Sequence, residues 1–243
     1  SQSLRIFFAK ICGCKYAYGW QISTINIFKK IQSRYRIFPN EYERLYNIIN
    51  PSQKLESKEN LIRIPKEDEQ YSFNILKDNN FLNRKIAGLA PCAKRSTNLW
   101  EVKKFVNIIK YLIDNDYAVI IFGGKNDIKY CENFTNVFDS NVLSLAGKTT
   151  ILQSFGILKY CNFLISVDSG VQHMASILNI KTISIFSARD YSRKWYPYGK
   201  KNIVIRKNVS CEVCLVEVCK KDNYCMKSIE AIEVIDTLKK NNF

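Results

Sequence analysis

From residue 85 onward, short apolar runs alternate with segments of helical period, the rhythm from which parallel α/β sheets are built. Lys85–Ala90, Tyr117–Phe122, Val142–Leu145, Phe163–Val167, Thr182–Phe186 and Ile203–Ile205 read as strands. Between the first two, residues 99–113 set Val102, Phe105, Val106, Ile109, Leu112 and Ile113 on one helical face. Residues 127–138 and 150–160 read as further helices, and 228–240 as an amphipathic one. That last helix carries Ile229, Ile232, Ile235 and Leu238 inward and Lys239-Lys240 at its carboxyl end, where positive charge suits the helix dipole. Residues 1–75 are different. Their apolar clusters at 4–11, 22–31 and 42–49 suggest a helix from Ser3, and Tyr16–Trp20 suggests one strand, too few strands to close a sheet. Pro39-Asn40 and Asn50-Pro51-Ser52 interrupt the segment, and Glu67-Asp68-Glu69 introduces an exposed helix. The pattern therefore predicts a remnant domain and connector over 1–75, then an α/β domain over 76–243. The absence of an initiating Met and the opening inside a helical pattern lead us to expect that an earlier part of the fold is missing.

The stretch 163–173, FLISVDSGVQH, is the most informative. A buried strand stops at Asp168-Ser169-Gly170 and a helical pattern (Val171, Met174, Ala175, Leu178) begins at once. In open parallel sheets ligands collect at the carboxyl ends of strands, where the next helix directs unpaired N–H groups outward. Asp168, Ser169, Gly170 and His173, the one histidine of the chain, share that location. A capped helix with a packed histidine would give the same spacing.

Composition adds direction. The chain has 243 residues, 47% of them hydrophobic, and 37 basic against 22 acidic residues give a net charge of +15, which favours an anionic partner. No apolar run approaches the length of a membrane span, and no signal peptide is present. Gly123-Gly124 lets backbone approach a ligand closely, and Asp127 is placed to bond a ribose diol. Lys94 and Arg95, after the first strand, are placed to neutralise a phosphate. Between Arg189 and Lys207, seven basic residues and one acidic one are interleaved with Tyr191, Trp195, Tyr196 and Tyr198, a mixture suited to phosphate plus a ring system. Cys211, Cys214, Cys219 and Cys225 form a C-x2-C-x4-C-x5-C cluster, tight enough for one tetrahedral structural zinc and equally compatible with packed or redox-labile thiols. Cys12, Cys14, Cys92, Cys131 and Cys161 read as ordinary small buried residues.

In one order, Gly123-Gly124-Lys125-Asn126-Asp127, Leu145-Ala146-Gly147-Lys148-Thr149, Asp168-Ser169-Gly170 with His173 and Ala175, Phe186 with Trp195-Tyr196-Pro197-Tyr198-Gly199, and the four cysteines leading into Met226 resemble glycosyltransferase family 9, the ADP-heptose:lipopolysaccharide heptosyltransferases and their relatives. The resemblance implies a GT-B architecture: a complete C-terminal Rossmann-like domain with a parallel sheet and an incomplete N-terminal acceptor-side domain. It also implies transfer of a heptose or related sugar from a nucleotide-sugar donor, ADP-heptose, to a lipid-linked glycan acceptor of the lipopolysaccharide core. No cofactor is required for that reaction. The setting implied is cytoplasmic, peripheral to the inner membrane, with the basic surface against acidic lipid and no nucleic-acid partner. Asp168, Ser169, Gly170 and His173 are then expected at the diphosphate and sugar, Asp127 at the ribose, Thr149 near the base, and Lys94 at the donor phosphate or sugar. The catalytic base is expected in the missing N-terminal part, so that this chain alone is inactive. Two positions depart from the family pattern: Asn98 stands where a lysine is usual, and Phe186-Ser187-Ala188-Arg189 replaces Phe-Gly-Pro-Thr. The first puts the donor in question unless Lys94 or Arg95 substitutes. The alternatives are a relative using another nucleotide-sugar and, from a different class, a basic nucleic-acid-binding module with a structural zinc.

Overall fold

The computed structural model describes residues 40–42, 62–138 and 140–243; the helix and strand predicted before residue 40 lie outside these. By its contacts the chain divides into two units, Ser1–Leu55 and Glu56–Phe243. The second begins ahead of the boundary predicted at 75/76, because helix α1 (Lys66–Asp78) packs on the α/β unit. Leu76 is wholly buried there, and Ser72 Oγ donates to Gln153 O at 3.2 Å.

Six parallel strands follow: β1 (Lys85–Ala90), β2 (Tyr117–Ile121), β3 (Val142–Ser144), β4 (Phe163–Val167), β5 (Lys181–Phe186) and β6 (Asn202–Arg206). Their order across the sheet is β3-β2-β1-β4-β5-β6. The chain thus winds outward in one direction from β1, returns to the middle and winds outward the other way from β4, in register Ala87↔Phe163 to Ala90↔Ser166. That is the doubly wound dinucleotide-binding order, whose ligand crevice opens between the two central strands at their carboxyl ends.

Helices cover both faces. On one lie α2 (Val102–Asp114), α3 (Ile128–Thr135) and α7 (Ala231–Lys240), whose Phe105, Ile108, Ile109, Phe134, Val234 and Leu238 meet Ala87, Leu89, Val119 and Ile165. On the other, α1, α4 (Ile151–Leu158) and α5 (Gly170–Ile177) bring Leu76, Ile157, Leu158 and Ala175 against Ile86, Ile120 and Leu164. Alternate residues of each central strand serve opposite layers, which is why these strands read as unbroken apolar runs.

Local chemistry fixes the ends of these elements. Thr150 and Gln153 exchange bonds across the start of α4 (Gln153 N to Thr150 Oγ1 3.2 Å, Thr150 N to Gln153 Oε1 2.9 Å), a reciprocal cap. Helix α2 starts at Val102 rather than at residue 99, since a short 3-10 turn (Ser96–Asn98) and an extended link precede it. Helix α7 starts at Ala231, after a separate turn of helix, α6 (Tyr224–Lys227). Its inward residues are therefore Ala231, Val234 and Leu238, and Ile232, predicted inward, is 56% exposed. Lys104 of α2 is buried yet saturated: its Nζ donates to Ile229 O (2.9 Å) and pairs with Glu230 Oε1 (3.0 Å) and Glu101 Oε2 (3.1 Å). It locks α2 to the start of α7. Among the described residues no helix is long and apolar enough to cross a membrane.

Candidate functional site

The predicted site residues gather along one edge of the sheet, the carboxyl ends of the strands. Lys94 and Asn98 follow β1, Asp127 follows β2, Thr149 follows β3, and Asp168, Ser169, Gly170 and His173 follow β4. At the centre of this edge Asp168 is held by two amides, accepting from Asn98 Nδ2 at 3.0 Å and from Gln172 Nε2 at 3.3 Å. Asn98 in turn accepts from Ser187 Oγ, at the end of β5, at 2.7 Å. The two departures from the family pattern therefore touch one another. A buried neutral amide stands where a cation was expected, and the serine that replaces glycine supplies the amide's other partner. Asn98 orients Asp168 with both its polar atoms engaged by the protein, which makes it a support of the site more than a ligand contact.

Burial pushes the Asp168 carboxyl up to about 6, with the nearby Asp190 charge adding to the effect; Arg95, Arg189 and the Asn98 bond oppose it. Arg95 therefore lies within electrostatic reach of Asp168 while its own Nε rests on exposed Glu217 (3.3 Å). Such a solvent-exposed pair is weak enough to exchange for a stronger anion. Lys94 and Arg95 are exposed. Burial pushes His173 down to about 4, so its imidazole is neutral at neutral pH. Helix α5 begins beside these groups with Ser169 as its first cap in extended conformation and with open space around Gly170, where a Cβ would meet nothing within 4 Å. An amino-terminal helix end with free approach is a natural anion seat.

At the neighbouring strand end, Asp127 Oδ2 accepts from Gly124 N at 2.8 Å and so shapes the Gly123-Gly124 turn. After β3, Gly147 occupies the left-handed region (φ 70°) that a side chain rarely adopts, and a Cβ there would come within 2.8 Å of Ile128. The turn delivers Thr149, whose Oγ1 lies 2.7 Å from Ser154 Oγ. A depression of about 220 Å³ lined by Lys85, Tyr117 and Phe163 opens at the opposite, amino-terminal edge and contains none of these groups.

The basic aromatic loop after β5 is partly self-engaged. Lys194 Nζ sits 5.2 Å from the Trp195 ring centre, Trp195 Nε1 donates to Asp190 at 3.1 Å, and Tyr196 packs on Phe186. These contacts argue against a free stacking platform for bases. Beyond it, the cysteine loop is tied down by buried Arg189, which donates to the carbonyls of Val216 (2.6 Å) and Leu215 (3.1 Å) and pairs with Glu217 (3.0 Å). Cys211, Cys214 and Cys219 lie near enough to Cys225 to add to the rise that burial causes in its thiol. Yet among the described residues no three His, Cys, Asp or Glu side chains come together as a metal's ligands, these four included. As arranged, the thiols are not gathered as the ligands of one ion.

Residues 6–225 match the sequence model of glycosyltransferase family 9 (heptosyltransferase). The chain belongs to this family. Two lipooligosaccharide heptosyltransferase 2 proteins of Campylobacter jejuni are similar to it: one is 24% identical over 220 residues, covering 86% of this chain and 68% of the relative. The other is 27% identical over 164 residues, covering 65% and 51%. The structure of Escherichia coli ADP-heptose lipopolysaccharide heptosyltransferase II superposes with a TM-score of 0.61 at 20% identity, over 78% of this chain and 54% of that one. The chain thus spans about half the length of one of these relatives and of the solved structure, and about two thirds of the other relative. Its family 9 fold places Gln172, Ser187 and Arg189 at the site, three residues that the motif reading did not assign. Gln172 was open to inference, four residues after Asp168 on one helical face; Ser187 and Arg189 come from another strand end and carry no local signal.

Proposed function

We propose that this chain supplies the donor-binding side of a heptosyltransferase that moves a heptose from ADP-heptose to a lipopolysaccharide-core acceptor. The observation that carries this reading is the assembly at the β1/β4 switch point: the α5 amino terminus, Asp168 on its two amides, and exposed Lys94 and Arg95 in the loop that follows β1. Family membership and the names of the relatives support it. In this reading the N–H groups of Ser169 and Gly170, with Lys94 and Arg95, bind the diphosphate and stabilise the charge that grows on it as the sugar departs. Asp168 faces the sugar hydroxyls as an acceptor, and neutral His173 serves as a hydrogen-bonding partner without adding charge. Asp127 is offered the ribose and Thr149 the neighbourhood of the base. The base for the acceptor hydroxyl belongs, in this reading, to the acceptor-side domain. The net charge of +15 is consistent with docking at an acidic membrane surface.

Titration calorimetry with ADP-heptose tests the site. Asp168→Ala and His173→Ala are each expected to weaken ADP-heptose binding at least about tenfold, roughly 1.4 kcal/mol; unchanged affinity in both would end the assignment. The Asn98 position supports a second reading, a relative that takes another nucleotide-sugar. A thermal-shift panel of ADP-, UDP- and GDP-sugars separates the two.

A further inference from the structure

Beneath the proposed donor edge, two cysteines face each other. Cys92 stands in the loop that leaves β1, three residues before Arg95, and is 8% exposed; Cys131, on α3, is wholly buried. Their sulfurs are 3.6 Å apart, across 39 residues of chain. No other contact of this kind joins two thiols among the described residues' hydrogen bonds, and Cys161, the other buried cysteine among them, donates to the carbonyl of Ile157 near the end of α4. The pair is also placed to matter. A Cβ on Gly123 would meet Cys131 Sγ at 3.3 Å, so this sulfur is packed directly under the glycine turn that Asp127 shapes. Cys92 belongs to the segment 91–95 that presents Lys94 and Arg95. The two sulfurs thus couple both loops of the donor edge on this side of the sheet.

We infer that Cys92 and Cys131 form a reversible disulfide under a hydroperoxide, and that the bond draws the 91–95 loop toward α3 and lowers affinity for the donor nucleotide. The chemistry balances with the peroxide as the oxidant. One sulfur attacks a peroxide oxygen, the O–O bond breaks, and the leaving oxygen departs with a proton as water or alcohol. The sulfenic acid so formed is attacked by the second sulfur, the S–O bond breaks, and water leaves with the remaining thiol proton. Two thiols lose two electrons and two protons, and the peroxide takes them up. The Cys92 hydrogen bond lowers the Cys131 thiol from its ordinary value, with Ser144 adding to the effect and burial and the Asp127 charge opposing it, so the two thiols of the pair are not equivalent. A disulfide spans about 2.05 Å, so the sulfurs must close by roughly 1.5 Å. Helix α3 is fixed by Phe134 in the core, whereas past half-buried Ala93 the loop reaches the surface at Lys94 and Arg95, so the loop is the part that yields.

The consequence for binding rests on the nucleotide site proposed above; formation of the bond does not. The chain is treated with hydrogen peroxide, digested without reduction and mapped by mass spectrometry, and ADP binding is measured before and after. A linked Cys92–Cys131 peptide, a drop of at least about fivefold in ADP affinity, recovery with dithiothreitol, and no drop in Cys131→Ser support the inference. Absence of the linked peptide while the chain stays folded overturns it, as does an equal drop in Cys131→Ser, which would trace the effect to other thiols. A linked peptide with unchanged ADP affinity overturns the regulatory part. Failure of the reduced chain to bind ADP at all would instead refute the nucleotide site and the regulatory part together, leaving the bond to stand on the peptide map.

Discussion

Asp168 and His173 are partly buried with opposite consequences for stability, and substituting the first should reveal the second. The Asp168 carboxyl is raised from an ordinary value near 3.8 to about 6, so between these values the folded chain holds a proton that the unfolded chain has lost. Its favourable contribution is complete below the unfolded value and is lost as pH rises through about 6. At roughly 1.4 kcal/mol per pH unit this amounts to about 3 kcal/mol. His173 runs the other way: lowered from 6.5 to about 4 by burial, it stays neutral when folded while the unfolded chain takes a proton, so stability is lost as pH falls through that window, again by about 3 kcal/mol. The two slopes overlap from about pH 4 to 6 and largely cancel, so these two groups leave the parent chain nearly flat there. Asp168→Asn removes one slope and keeps the shape of the side chain. At pH 8 it relieves a buried charge, gaining about 3 kcal/mol, and gives back about 1 kcal/mol through the weaker bond to Asn98. Urea denaturation from pH 4 to 8 reads the difference between the two chains directly, other titrating groups being common to both. The expected result is a variant about 2 kcal/mol more stable at pH 8, an advantage that shrinks and reverses by pH 4, while ADP-heptose affinity falls. A stability difference independent of pH, or one growing toward acid, would show that Asp168 is not a buried charge.

Three other outcomes follow from the packing. Gly156 lies where α4 crosses α1, and an added methyl would sit 2.2 Å from Ser72 Oγ and 3.3 Å from Asp68 O; Gly156→Ala should therefore destabilise by about 1–2 kcal/mol, despite the better helix propensity of alanine, and Ser72→Ala/Gly156→Ala should recover part of that loss in thermal melts. Arg189→Met strands the carbonyls of Leu215 and Val216 and should cost about 1–3 kcal/mol, with faster proteolysis confined to residues 209–225, whereas a chelator should leave the melting temperature of the parent chain unchanged. Lys104→Met removes the lysine partner of Lys227 O and Glu230, leaves Ile229 O to Trp100 Nε1 alone, and should cost about 2–3 kcal/mol in urea, with hydrogen exchange rising first in α7.

The central strands were readable because they are buried on both faces, which leaves an uninterrupted apolar run between polar turns; Phe163–Val167 was placed residue for residue. The inward face of the last helix was not, because its phase depends on where Glu230 and Glu233 cap it, and a shift of the start turned Ile232 out to solvent. Asp168 and His173 were legible as a strand-end motif. Asn98 was noticed for the charge it lacks, yet its role required Ser187, which is 89 residues away and reaches it only through the β4–β5 pairing. Cys92 and Cys131 looked like filler for the same reason: their proximity comes from packing across β1 and α3, and periodicity carries no record of it.

The strand order also bears on how the chain acquires its shape. Strand β1 gains its first neighbour from β2, a short helical crossover away, but its other edge stays bare until β4 appears, since Ile86 is bridged to Asn162 across 76 residues. A nascent chain ending before Val167 therefore displays an unpaired apolar ribbon at what will become the middle of the sheet, the kind of edge that recruits strangers. Synthesis past that point closes the seam, and the donor crevice comes into being in the same step, because both of its walls are the ends of these two strands.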